Sequence, residues 1–214
     1  GYYASAVKIF NQSHRVTVRD NLVIDHPHSN GVWYDVGNRD GVIVNNRVEG
    51  ASDCFFFEIS RGATVAGNVF VRCDKGARVL NSADVHLYNN TFVDAPASFE
   101  RNERSKTRDH FGWHPATGPD VDEREGHVFV NNLLVAGAAF TRPLLRFEQP
   151  AALCETLTRP MANEVNGNVY VRAATSGPLV VWSPVAGESC QVEAGSLDEL
   201  RRLAGVEANG REMT

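Results

Sequence analysis

Short runs of alternating apolar and polar residues, three to five long, recur along most of the chain and are broken by Asn, Asp and Gly. Alternation of this kind predicts β-strands with one buried face, and the breaks predict turns. One motif repeats across the runs: an apolar residue, two residues, Asn, one residue, a second apolar residue. It occurs at Val18/Asn21/Val23, Ile43/Asn46/Val48, Val65/Asn68/Phe70, Leu87/Asn90/Phe92, Phe129/Asn132/Leu134 and Val165/Asn168/Tyr170. Successive asparagines stand 25, 22, 22, 42 and 36 residues apart. A period near 22 is too long for a hairpin meander and holds no helical spacing. It fits a solenoid whose stacked coils bury one face of every strand, with each Asn side chain bonding to those of the coils above and below.

The repeats VNNRV, YNNTF and VNNLL resemble those of right-handed parallel β-helices of the pectin-lyase-like superfamily, over roughly residues 6–185. The stretch HSNGVWYDVGNRDGVIVNN is also similar to bacterial β-helix proteins grouped with glycoside hydrolases. The resemblance implies an all-β parallel β-helix of about six coils. It covers lyases, hydrolases, epimerases, esterases and tailspikes, so it does not fix the chemistry. Residues 1–194 read as the β-helix, and 195–214 as a helical cap and tail. Ser196 ahead of Leu197, Leu200 and Leu203 predicts an amphipathic helix over 197–203 that plugs the carboxyl end. No matching helix precedes Ala6, so the amino end reads as cut from a longer solenoid or covered by another subunit.

The stretch VWYDV and its counterpart FFFEI one coil on carry the candidate chemistry. With Val32, Tyr34, Phe55 and Phe57 inward, Trp33, Asp35, Phe56 and Glu58 face outward. Two outward columns are expected on the first sheet, one of Lys8, Trp33, Phe56, Arg78 and Glu100, the other of Phe10, Asp35, Glu58, Leu80 and Asn102. Coils stack ~4.8 Å apart, which places the Asp35 and Glu58 carboxyls at roughly 5 Å, near the ~5–5.5 Å of retaining glycosidases. Glu58, flanked by Phe56 and Leu80, is the expected acid, and Asp35 the nucleophile or base. Trp33 and Phe56 would offer flat faces to sugar rings, and Arg78 with Lys8 would bind an acidic substituent. The plainer reading of the columns is a solvated row of acids balanced by Lys8 and Arg78.

An insertion of about 20 residues is expected within 102–125. It holds Asp109, His110, Trp113, His114, Asp120 and Asp122, and reads as a lid that adds His110, Trp113 and His114 to the substrate contacts. A uronate lyase or epimerase is the alternative enzyme. Asp25-His26-Pro27-His28 is similar to the Asp-Pro-His motif of alginate epimerases, interrupted by His26, so His26 or His28 would be the base and Arg78 or Lys8 the neutralising cation. A non-catalytic glycan-binding solenoid is the third class. No cofactor is called for, although Asp120, Asp122 and Glu123 could form a calcium site.

Composition is compatible with the expected partner, a polysaccharide or oligosaccharide. A net charge of −5 with 21 basic and 26 acidic residues argues against a nucleic-acid binder, and no apolar run is long enough to span a bilayer. Of four cysteines, Cys154 and Cys190 are 36 apart, the same as Asn132 and Asn168, so they fall at equivalent points of adjacent coils and predict a disulfide in a secreted or periplasmic protein. Cys54 and Cys73 are three residues out of register and are expected to be buried thiols. Zinc is not indicated, since no CxxC pattern occurs. The sugar, the linkage and the oligomeric state are not encoded legibly.

Overall fold

The computed structural model describes residues 4–104, 123–173, 177–187 and 190–214. They form a right-handed parallel β-helix with three sheets. The first sheet stacks Ser5–Phe10, Asn30–Asp35, Asp53–Glu58, Lys75–Leu80, Ala97–Glu100, Leu145–Glu148 and Val180–Trp182 in parallel, and Val192–Ala194 closes it antiparallel. The other two sheets hold six and seven strands. The last of these, Arg211–Met213, pairs with Val169–Arg172, so the tail completes a sheet.

The Asn ladder is present from Asn21 to Asn168. Each side-chain amide donates to the Oδ1 of the next, at 2.9 Å from Asn21 to Asn46 and 3.0 Å from Asn132 to Asn168. The residue before each ladder Asn explains the sequence pattern. Asp20, Asn45, Gly67, Asn89, Asn131 and Gly167 all have φ between 52° and 69°. Left-handed backbone favours Gly, Asn and Asp, so one local requirement sets the first residue of the NN pairs and the ladder sets the second. At the carboxyl end the ladder stops on Glu207, which accepts from the Asn168 amide at 2.6 Å and from Tyr170 Oη at 2.8 Å.

The helix runs Leu197–Ala204, with Ser196 accepting from the Glu199 N–H and Gly205 (φ 67°) ending it. Leu197 and Leu200 pack into the core, while Leu203 is 46% exposed. Cys154 and Cys190 are bridged, Cα to Cα 5.7 Å. Cys54 and Cys73 are also bridged, Cα to Cα 5.8 Å, which corrects the expectation of two thiols. Cys73 lies in the turn between the strands Val69–Val71 and Lys75–Leu80, and both cysteines are buried in the core. Because Cys73 stands in that turn and not on a strand, a shortfall of three residues against the coil period still leaves the two Cα atoms within bridging distance.

Candidate functional site

Strand alternation puts Val32, Tyr34, Phe55 and Phe57 in the core and Trp33, Asp35, Phe56 and Glu58 on the outer side of the first sheet. Register pairs Trp33 with Phe56 and Asp35 with Glu58. The outer side is nevertheless covered. Trp33 is 1% exposed, Phe56 2% and Glu58 2%. Trp33 and Phe56 stack on each other, centroids 5.3 Å apart, and with Leu80 they make a small apolar cluster of their own. Lys8 Nζ lies 3.7 Å from the Trp33 ring centroid and the Arg78 guanidinium 4.7 Å from that of Phe56. An open aromatic floor is therefore corrected to a closed one, with cationic side chains on long apolar stems lying across the rings.

The two acids are likewise engaged. Lys8 Nζ is 2.9 Å from Asp35, and Arg104, at the stem of the insertion, pairs with Glu58. Burial pushes the Glu58 carboxyl above its usual range; Arg104 opposes this, and Asp35 adds to it. The residues that follow them, Val36 (φ 53°) and Ile59 (φ 42°), are β-branched and left-handed, an uncommon and strained state. At the same turn the neighbouring coils use Asn11 and Asn81.

The columns differ from expectation in one coil. Arg78 stands opposite Ser98, and Leu80 opposite Glu100, so Glu100 belongs to the column of Asp35 and Glu58. The turn into Ala97–Glu100 is two residues shorter, and the Pro96 carbonyl accepts from both Gly76 and Ala77, a bulge that takes up the difference.

A groove of about 510 Å³ lies on this sheet at the turns that lead from the third sheet into the first, lined by His28, Asp53, Phe56, Asp74, Lys75 and Arg78 among others. It brings together His28, Phe56 and Arg78 of the expected residues and leaves out Lys8, Trp33, Asp35 and Glu58. His26 ends the strand Leu22–His26, its Nδ1 3.4 Å from Ser29 Oγ. His110, Trp113 and His114 lie outside the described residues, as do Asp109, Asp120 and Asp122. Glu123 is described, paired with Arg61.

Asp53 and Lys75 were not singled out in the sequence. The available signal was their spacing of 22, one full coil, at the polar start of consecutive strands. Asp53 is buried, and burial pushes its carboxyl up; Arg78 and Lys75 pull against that, and Glu100 adds to it. Arg78 donates from Nε (3.2 Å) and Nη2 (3.1 Å) to Glu100, and from Nη1 to Asp53 at 3.4 Å. Glu100 also accepts from Lys75 and from Ser98 Oγ. Burial alone would raise Glu100, but Arg78 and Lys75 reverse this and hold it below its usual range. Arg124, another residue without a sequence signal, is buried at the insertion's far stem and donates to Asn81, to the Asn102 carbonyl and to the Arg104 carbonyl.

Fold and disulfides define a class, an exported parallel β-helix: three parallel sheets around an Asn ladder, closed by two bridges of the kind that persist in oxidising compartments. Residues 5–114, which are 110 of the 214, match the family described as periplasmic copper-binding protein (NosD). The chain belongs to this family and is a secreted or periplasmic protein. No curated protein and no solved structure matches it. Among the described residues no helix is long and apolar enough to cross a membrane.

Copper favours His, Cys and Met donors. All four cysteines are bridged, Met161 is buried in the core, Met213 is exposed on the last strand, and the described residues hold no group of three or more His, Cys, Asp or Glu able to share an ion. Buried His127 takes the Val85 N–H on Nδ1 and is pushed down to about 3, by burial first and then by Arg101 and His86. The described residues do not fit a copper centre.

Proposed function

We propose that the protein acts on an acidic polysaccharide in the groove, by proton abstraction next to a uronate carboxylate, as a lyase or epimerase does. The observation that carries this reading is the joint presence of His28 and Arg78 along one groove. His28 takes the proton from the carbon bearing the carboxylate, and Arg78, with Lys75 beside it, neutralises the charge that develops. In elimination the bond to the leaving oxygen then breaks, and that oxygen takes a proton from water. In epimerisation a proton from water is delivered to the opposite face of that carbon, and the one held by His28 passes to solvent. No step is routed through a metal.

A panel of polyuronates, read by the ultraviolet absorbance of an unsaturated product and by inversion at the carboxylate-bearing carbon, tests the reading. His28→Ala and Arg78→Gln are each expected to lose about 10²–10⁴-fold in rate. New reducing ends without either signal would instead favour hydrolysis. Binding without turnover would favour a glycan-binding solenoid.

Glycoside hydrolysis at Asp35 and Glu58 is the second reading. It is supported by their register and by the raised Glu58 carboxyl, and it requires Lys8 and Arg104 to yield to the substrate.

A further inference from the structure

The contacts of Arg78 are uneven. Two of its nitrogens converge on Glu100 Oε2 at 3.1 and 3.2 Å, and Phe56 lies under its plane. Glu100 is itself fixed by Lys75 and Ser98. The third nitrogen, Nη1, reaches Asp53 at a long 3.4 Å, and it is the hydrogen-bond donor to that carboxylate among the described residues. Asp53 and Arg78 both line the groove. One side of the guanidinium is thus built in, and the other is held loosely by an acid at the place where a ligand would arrive.

We propose that Asp53 is an internal stand-in for the carboxylate of an acidic sugar: the ligand's carboxylate displaces it from Arg78 Nη1, and Asp53 takes up one proton as it loses its partner. This deepens the proposed function and rests on the groove being the saccharide site. The charge balance favours exchange over simple addition. The groups facing Asp53 are Lys75 and Arg78 on the next strand, Glu100 beyond it, His28 in the turn above and Asp74 in the turn below. Three acids of this set (Asp53, Asp74 and Glu100) already outnumber its two cations, so a ligand carboxylate adds to an existing excess of negative charge, and protonation of Asp53 cancels the charge added. Burial, which already pushes the Asp53 carboxyl up, eases the uptake.

The test is calorimetric titration of the intact protein with a tetrameric oligogalacturonate, from about pH 5 to about pH 8, in buffers of different ionisation enthalpy, with a neutral tetrasaccharide as control. Proton uptake on binding predicts that Kd weakens by up to about tenfold per pH unit where Asp53 is ionised in the free protein. Asp53→Asn is expected to remove the uptake and to bind tighter than the parent at pH 8. His28→Gln removes the histidine of the groove, so uptake that persists in it and is lost in Asp53→Asn belongs to Asp53. A Kd that does not vary with pH, an Asp53→Asn variant no tighter than the parent, or equal binding of the neutral sugar overturns the exchange and leaves the groove as a saccharide site. No binding of either sugar by any of the proteins overturns the groove reading and the exchange together.

Discussion

Glu58 shows how little the direction of a side chain says about its surroundings. It points away from the core yet is 2% exposed, between Phe56, Leu80 and the Arg104 pair. Its carboxyl is raised by burial. An acid whose folded pKa lies above its unfolded one stabilises the fold while protonated, and that contribution is lost as pH rises through the folded value. Glu58→Gln mimics the protonated form. At about pH 4, near the unfolded value for Glu, variant and parent are expected to melt together. At neutral pH the variant should melt at the same temperature or higher, since the Arg104 side chain, 37% exposed, can be solvated. Melting curves at the two pH values check this, and a loss of several degrees at neutral pH would mean that the ion pair outweighs the cost of burial.

At the scale of the element, the ladder makes a graded prediction. Asn90 accepts from the Asn68 backbone and side chain, and donates to Val65 and to Asn132, all in the interior. Asn90→Ala strands several buried groups at once and should cost about 3 kcal/mol or more, at the upper end of single substitutions. Asn21, at the exposed end of the ladder, keeps one neighbouring coil, and Asn21→Ala should cost under about 1.5 kcal/mol. Urea unfolding of both variants measures the difference. Equal losses would mean that burial is not what gives the ladder its strength.

The ladder was also the part most legible in the sequence, because two constraints meet on adjacent residues: a left-handed turn position and a buried amide. The site was less legible. Alternation gave Trp33, Asp35, Phe56 and Glu58 their side of the sheet, but Lys8, Arg78 and Arg104 cover that side, and such covering depends on long flexible side chains that carry no period. The position of Glu100 was misread because it lies 22 residues after Arg78, one full coil by count, while the short turn through Pro96 removes two of them. Asp53 sits at a strand start and lines the groove, although simple in–out alternation puts it on the side of Phe55 and Phe57.

For the whole molecule, the direction of the ladder matters more than its length. From rung to rung each side-chain amide donates toward the carboxyl end, and each Oδ1 from Asn46 to Asn168 receives from the amino side, while the amides from Asn46 on also donate back to a carbonyl of the preceding coil. Each rung passes on the polarity it receives, so the column reads as a sentence that can take another word anywhere but needs a full stop. Glu207 is that stop: a carboxylate accepts and has nothing to pass on, and the Asn168 amide, the Asn168 N–H and Tyr170 Oη all converge on it. The 22-residue coils in the middle, which both accept and donate, are therefore interchangeable units, whereas the last one is not. Tandem duplication of residues 61–82 is expected to give a folded protein one coil longer, with the circular dichroism of the parent and a cooperative melt. Moving Glu207's acceptor role to an amide, as in Glu207→Gln, puts a donor where none is wanted and should destabilise both lengths alike. Length in this molecule is thus open to variation by insertion, while its grammar of termination is fixed by a single acid.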